Sequence, residues 1–328
     1  MNDHFNGEGL ILSPRYAETM EQEVLPRLEA CCTNITVHGF GGRPLYACRY
    51  QADSPARGTM VMVHGFTENA FKFSELIHSL LLNGLCVVAY DQRGHGRSWR
   101  PENLQDPSLT HVDSFDEYEK DLQAVCLQVL KGMPKPWMLF SHSMGGAVST
   151  LFLERHPRIF SRAVLSSPMI AVNLHGLPAF AAGLICRGGI LLGKRSRRLF
   201  TSSPYAGKED FETSCATGRE RFDWYEDIRA ARPEFQNNGP SYGWTLESLK
   251  VTKTLLEPGA PEKIACPVLL FSAENDEMVL NSFQDRLASR IRQVRHETVP
   301  GSRHEIYRSE DAVLFPWWQE VLEFLGVR

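Results

Sequence analysis

No stretch of the 328-residue sequence holds the roughly 18 uninterrupted apolar residues that a bilayer span requires. The N-terminal stretch MNDHFNGEGLILSPRY lacks the basic start and apolar core of a secretory signal. Eight cysteines are present (Cys31, Cys32, Cys48, Cys86, Cys126, Cys186, Cys215 and Cys266), yet none forms a CxxC pair. That spread excludes zinc-ribbon spacing and a disulfide-dense scaffold. Several of these residues sit in apolar runs, as Cys86 does in LCVVAY, where a reduced thiol acts as a small hydrophobe. Positive charge is not in surplus, since 35 Lys and Arg face 39 Asp and Glu for a net charge of −4. There is thus no electrostatic case for a nucleic-acid partner, and no nucleic-acid motif occurs. Repeats and low-complexity tracts are also missing. A soluble chain in a reducing compartment, the cytoplasm, is expected, with peripheral contact at the inner membrane face left open.

What is present is an alternation. Hydrophobic residues make up 43% and charged residues 23%, an ordinary globular balance. Six short runs read as strands: TMVMVHG (59–65), LCVVAYD (85–91), WMLFSHS (137–143), RAVLSSP (162–168), PVLLFSA (267–273) and RHETVPG (295–301). Each is nearly continuous in apolar character or bounded by Gly and Pro, as strands buried on both faces of a parallel sheet are. Between them, FKFSELIHSLLLNG (71–84) and FDEYEKDLQAVCLQVLKG (115–132) carry helical periodicity with suitable stops, and 310–325 is again amphipathic. The order implies right-handed crossovers and an α/β, mostly parallel, doubly wound sheet. It breaks once, where about a hundred residues separate Pro168 from Pro267. Residues 1–168 and 263–328 are therefore expected to form the core. Residues 169–262 are expected to be a mostly helical cap over the carboxyl edge, where open α/β sheets hold ligands.

The apolar run 137–140 stops at Ser141-His142-Ser143-Met144-Gly145-Gly146, and a second apolar pattern starts at once. A strand turning directly into a helix forces a tight bend that projects one side chain out of the sheet. Its neighbours two positions away must be small, as Ser141 and Gly145 are; the pattern is G-x-S-x-G with Ser in the first place. The competing reading is a serine that caps the helix. A serine nucleophile needs a base and a group to orient that base. His304 in VPGSRHEIY follows the last strand, and Asp276 in FSAENDEMV follows the PVLLF strand, so both belong at the same sheet edge as Ser143. The order Ser143, Asp276, His304 is the hydrolase order rather than that of the two major serine-protease folds. Glu274 is the rival acid, and His142 is expected to be structural. Backbone N–H groups of Met144 and of Phe66, in the glycine loop His64-Gly65-Phe66, are the candidate oxyanion donors, each worth about 3 kcal/mol in the transition state.

The stretches VMVHGFTEN, YDQRGHGRS, FSHSMGGAVSTLFLERHP, SSPM, the Asp276 loop and GSRHEI resemble the serine α/β-hydrolase superfamily, and within it the monoacylglycerol lipase and lysophospholipase L2 group. The resemblance runs from about residue 60 to the C-terminus. It implies a triad of Ser143, Asp276 and His304, an oxyanion hole from Phe66 and Met144, and an acyl-enzyme route with no cofactor. It also implies a small-molecule partner, a single-chain lipid ester such as a lysophospholipid or monoacylglycerol. Ser141 departs from the commoner Gly, and the cap is where such families differ most. Leu174, Leu177, Phe180, Leu184 and Ile185 are candidates for an acyl-binding wall or, equally, for packing the cap onto the sheet. Arg187, Lys194, Arg195, Arg197 and Arg198 suit either a phosphate or anionic surface, or simply solvent. The DQRGHGRS run lacks the third glycine of a phosphate loop and is expected to be structural, pinned by Asp91 and Arg93. His304-Glu305 has no second histidine at zincin spacing, so no metal is expected. Two alternatives remain: an aminopeptidase or amidase on the same triad, and a non-catalytic receptor on a hydrolase fold. Oligomeric state is left unassigned.

Overall fold

The computed structural model describes residues 4–53, 56–102, 104 and 106–327. Among these residues eight strands form one sheet: β1 Cys32–His38, β2 Pro44–Tyr50, β3 Gly58–Val63, β4 Leu85–Tyr90, β5 Trp137–His142, β6 Arg162–Ser166, β7 Val268–Asn275 and β8 Val294–Arg303. Their spatial order is β1-β2-β4-β3-β5-β6-β7-β8. From β4 to β8 every pairing is parallel, while β2 runs antiparallel to both β1 and β4. The six apolar runs all occur as strands. The hairpin β1–β2 was not expected from the sequence. Its burial is patchy, with only Val37 of β1 fully covered, so it lacks the continuous apolar signal of the central strands.

Among the described residues ten α-helices accompany the sheet: α1 Tyr16–Thr19, α2 Leu25–Cys31, α3 Ser74–Leu82, α4 Asp116–Val129, α5 Met144–Arg155, α6 Ala179–Leu191, α7 Arg219–Ala231, α8 Tyr242–Leu255, α9 Asn281–Ala288 and α10 Asp311–Leu325. Alternate residues of β3 feed opposite cores. Val61 and Val63 join Leu139, Ala147 and Leu151 on one face, and Met60 and Met62 join Phe140 and Trp318 on the other. After β3 the chain steps to β4 on one side, then returns to β5 on the other. The strand order therefore reverses between β3 and β5, and the carboxyl ends at such a switch point are where open α/β sheets hold their ligands.

Helices α6, α7 and α8 all lie between β6 and β7. Arg221 of α7 ties this segment to the rest of the chain. Its fully buried guanidinium meets Glu75 of α3 at 2.9 Å, Asp311 of α10 at 2.8 Å and the Ile11 carbonyl at 2.7 Å. Helix α6 packs on α8 through its small residues. A Cβ at Gly189 would lie 2.6 Å from the Tyr242 ring, and Cys186 joins Tyr242 and Leu246 in a small cluster.

One carboxyl on α5 is out of place for a charged group. Glu154 is 6% exposed, and burial pushes it up to about 8 against the pull of Arg155, Lys263 and Arg290. The folded chain keeps this proton up to about pH 8, whereas an unfolded chain releases it near 4.5. Stability contributed by the protonated carboxyl is thus intact at acid pH and is lost as pH rises through that interval. Glu154→Gln is expected to stabilise the fold by about 2–3 kcal/mol near pH 8 and hardly at all near pH 4.5. Urea unfolding at the two pH values tests this, and an equal effect at both would rule it out.

Candidate active site

Strand β5 passes into α5 with no intervening loop. At the junction Ser143 takes φ 51° and ψ −120°, a conformation that costs a non-glycine residue strain and persists only where its surroundings hold it. The surroundings do so tightly. A Cβ at Gly145 would fall 2.3 Å from the Val63 carbonyl oxygen and 2.6 Å from that of His64, so the start of α5 fits against the end of β3 only without a side chain there. Ser143 N–H donates to the Ser166 carbonyl at 3.1 Å, and the Ser143 carbonyl accepts from Met169 N–H at 2.8 Å. The Ser143 side chain makes no capping bond to α5, which removes the helix-cap reading.

The hydroxyl is turned instead toward His304. Ser143 Oγ lies 2.8 Å from His304 Nε2, and His304 Nδ1 lies 2.8 Å from Asp276 Oδ2. Asp276 also accepts from Met278 N–H at 2.9 Å and Val279 N–H at 3.0 Å through Oδ1, which fixes the carboxylate. Burial favours the neutral acid, but the His304 imidazole and these amides outweigh it and hold Asp276 below its usual range. An ionised Asp276 only accepts, so Nδ1 carries the proton and Nε2 is left to accept from the serine. Burial disfavours the imidazolium, yet facing Asp276 raises His304 above an ordinary histidine, with Glu305 and Glu68 adding to the effect. Such an arrangement can take a proton from an alcohol and return it to a leaving group. Glu274, the rival acid, is exposed and receives Gly301 N–H at 2.8 Å.

The glycine loop after β3 comes against the serine. A Cβ at Gly65 would sit 3.0 Å from Ser143 Cβ. Among the described residues, neither Phe66 N–H nor Met144 N–H donates to a protein acceptor. The Phe66 ring lies 4.1 Å from that of Trp244 on α8, so this loop also carries the segment between β6 and β7. Beneath it, His64 Nε2 accepts from Gln92 N–H at 2.9 Å, and its Nδ1 is 2.8 Å from the Gly65 carbonyl. Asp91 receives the amides of Ala70 at 2.7 Å and Arg97 at 2.9 Å, which pins DQRGHGRS as expected. Arg93, by contrast, reaches to Asp121 at 2.6 Å, so it anchors this loop on α4.

A buried chain of charges was missed by the sequence reasoning. Glu68 accepts Gly65 N–H at 2.6 Å and meets Lys72 at 2.9 Å; Lys72 also meets Glu305 at 2.6 Å, and Glu305 meets Arg308 at 2.7 Å. Tyr307 donates to the same Glu68. Lys72 stays charged despite burial because two carboxylates face it, and its proton is held above the usual lysine range. The network joins the glycine loop to the segment that carries His304. His142 lies within it, its ring 4.8 Å from that of His304 and its Nε2 3.8 Å from Glu68, and burial brings it down to about 4. It packs against His304 as a neutral ring. Among the described residues no group of three His, Cys, Asp or Glu is placed to hold a metal ion.

The apolar residues expected to wall an acyl site lie elsewhere than in an enclosed pocket. Leu177 and Phe180 are exposed at 43% and 73%, Leu184 and Ile185 at 60% and 40%, and Leu174 is half-buried. The small residues of α6 take the inward positions against α8, which turns the large ones outward. Of the basic cluster, Arg198 is bound by Asp106 in a part-buried pair and Arg195 by Asp113 at the surface, so these two cations are paired within the chain, while Arg187, Lys194 and Arg197 are exposed.

Comparison with known proteins agrees with this architecture. A family model described as serine aminopeptidase, S33, matches residues 54–311. Lysophospholipase L2 of Escherichia coli K12 is 31% identical over 307 residues, spanning 88% of this chain and 86% of its own. The probable lysophospholipase L2 of Haemophilus influenzae is 28% identical over 323 residues, 97% of this chain and 100% of its own. Among solved structures, a soluble variant of monoglyceride lipase from Saccharomyces cerevisiae, in complex with a substrate analog, superposes with a TM-score of 0.70 at 19% identity, covering 90% of this chain and 94% of that one. With the matched region running from before β3 to the first turn of α10, this chain is a member of the serine aminopeptidase S33 family of the α/β-hydrolase superfamily.

Proposed function

We propose that the protein is a serine carboxylic ester hydrolase of single-chain lipids, lysophospholipids or monoacylglycerols. The observation that carries this reading is the unbroken hydrogen-bonded line from Ser143 through His304 to Asp276 at the sheet's switch point. Ser143 Oγ bonds to the ester carbonyl carbon as His304 takes its proton, with Phe66 and Met144 N–H holding the oxyanion. The carbon–oxygen bond to the alcohol then breaks, and the leaving oxygen takes the proton from His304. Water, activated by the same imidazole, cleaves the acyl-enzyme and frees Ser143.

A lipid substrate is supported by the names of the full-length relatives and by the outward face of α6. Phe180, Leu184, Leu191 and Leu192, exposed at 73%, 60%, 87% and 75%, form an apolar surface beside the cations Arg187, Lys194 and Arg197. Such a surface suits peripheral contact with an anionic membrane. Residues 169–262 act in this reading as the lid through which the acyl chain passes. All eight cysteines are free thiols, which fits a cytoplasmic location. Among the described residues no helix is long and apolar enough to cross a membrane.

The test is a panel of monoacylglycerols and lysophospholipids of varied chain length set against amino-acid amides. The lipid esters are expected to be the better substrates by kcat/KM. Preference for the amides would install the peptidase reading that the family description carries. A protein that neither turns over any ester nor reacts with a fluorophosphonate probe would be a receptor.

A further inference from the structure

The β1–β2 hairpin carries two thiols that no step of the proposed reaction uses. Cys32 stands opposite Tyr50 and Cys48 opposite Asn34, so both thiols share one face of the pair. Their sulfurs converge on one acceptor. Asn34 Oδ1 lies 3.2 Å from Cys48 Sγ and 3.6 Å from Cys32 Sγ, and the two thiols are hydrogen-bonded to each other. The Tyr46 hydroxyl is 3.0 Å from Cys48 Sγ and accepts from Arg97 Nη1 at 2.6 Å. The Arg97 guanidinium also lies 4.1 Å from the centre of the Tyr46 ring.

A thiol so placed can lose its proton and keep its neighbours. Tyr46 O–H and Cys32 S–H then donate to the Cys48 sulfur, with a guanidinium behind them. These groups, the Cys32 hydrogen bond first, draw Cys48 below the ordinary thiol range against the effect of burial. The same bond holds the Cys32 proton in place. Burial pushes Cys31, Cys126, Cys186, Cys215 and Cys266 the other way. Cys48 is 4% exposed, yet it lies only one side chain deep. Strand β1 is the sheet edge, Asn34 is exposed and Cys32 half-buried, so a small oxidant has only these two side chains to pass. The other sulfurs of this region are engaged elsewhere: Cys31 Sγ donates to the Leu28 carbonyl at 3.6 Å and Cys86 Sγ to Gln51 Oε1 at 3.5 Å.

We propose that Cys48 and Cys32 form a peroxide-reactive dithiol, in which Cys48 is the attacking sulfur and Cys32 the resolving one. The Cys48 thiolate bonds to one oxygen of a hydroperoxide as the O–O bond breaks, and the leaving oxygen takes up the proton that Cys48 lost. The sulfur is oxidised to a sulfenic acid and the peroxide is reduced. Cys32 sulfur then bonds to Cys48 sulfur, the S–O bond breaks, and hydroxide departs as water with the Cys32 proton. Diagonal neighbours in a sheet stand about 7 Å apart at Cα, near the outer limit of a disulfide. Closure therefore draws β1 slightly inward, and an edge strand has room to move.

The test treats the reduced full chain with stoichiometric hydrogen peroxide, blocks free thiols with N-ethylmaleimide and maps the peptides by mass spectrometry. A Cys32–Cys48 bridge is expected, reversed by dithiothreitol. Cys32→Ser should stop at the sulfenic acid, trapped on Cys48 by dimedone, and Cys48→Ser should leave Cys32 unoxidised. Exposure alone predicts another order of reactivity, so brief labelling with iodoacetamide near neutral pH discriminates. Cys48 is expected to react about ten-fold faster than the half-buried Cys31. Tyr46→Phe, which removes the hydroxyl and keeps the ring, should erase most of that lead. Unlinked peptides after peroxide treatment of the parent protein, or labelling of Cys31 ahead of Cys48, would overturn the dithiol. None of these readouts is ester turnover, so the hydrolase reading stands or falls separately.

Discussion

Ser143→Ala is expected to lower kcat on a short p-nitrophenyl ester by about 10⁵- to 10⁶-fold, the size seen when a triad serine is removed. Nothing nearby can substitute. The hydroxyls of Ser141 and Ser167 are fully buried, and Ser143 Oγ is the one in contact with His304 Nε2. The variant should fold, because alanine asks no more of the strained φ 51° than serine does, and the deleted hydroxyl makes no capping bond. KM should change little, since the hydroxyl contributes to bond formation rather than to holding the substrate. Covalent labelling by a fluorophosphonate should vanish with the activity. Residual turnover above about one percent in a folded variant would mean that another group is the nucleophile or that water attacks directly.

Asp276→Asn has the next largest expected effect, a fall in kcat of about 10⁴-fold. An amide in this place can present its N–H₂ to Nδ1 and so stabilise the tautomer with the proton on Nε2, which cannot accept from Ser143. The pH profile should change as well. The parent's activity should rise with pH through an ionisation above the ordinary histidine value, because Asp276 favours the imidazolium, and the neutral ring is the working base. Without the carboxylate that attraction is gone, so the variant's limb should move to lower pH while its plateau collapses. Glu274→Gln serves as the control and should stay within about two-fold of the parent. A large loss in Glu274→Gln with a mild one in Asp276→Asn would exchange the roles of the two acids.

Legibility in the sequence follows the physics of burial. Strands β3 to β8 announce themselves because most are covered on both faces and read as short apolar runs. Strand β1 lies at the sheet edge with most of its residues at least partly exposed, and its Thr and Asn side chains carry no such mark. The elbow and its partners are legible for another reason: a tight strand-to-helix bend, a strand-end acid and a strand-end histidine each leave a local trace in spacing. The charge chain beneath them leaves none. Lys72, between two phenylalanines at the entry to α3, looks like any solvent-facing lysine until the fold brings Glu68 and Glu305 to it. Helix α6 is opaque in a third way. Its periodicity says that it is apolar, but only the tertiary fit, glycine against Tyr242, decides that its leucines face out.

The buried quartet of Glu68, Lys72, Glu305 and Arg308 constrains how this sequence can drift. Neutralising Lys72 strands the Glu68 carboxylate and neutralising Glu305 strands Arg308, each at about 3–5 kcal/mol, whereas exchanging matched partners together can be close to neutral. Evolutionary change at these four positions is therefore epistatic. Paired exchanges are the tolerated route through Lys72 and Glu305, because a single exchange at either one leaves a buried charge beneath the glycine loop or the segment that carries His304.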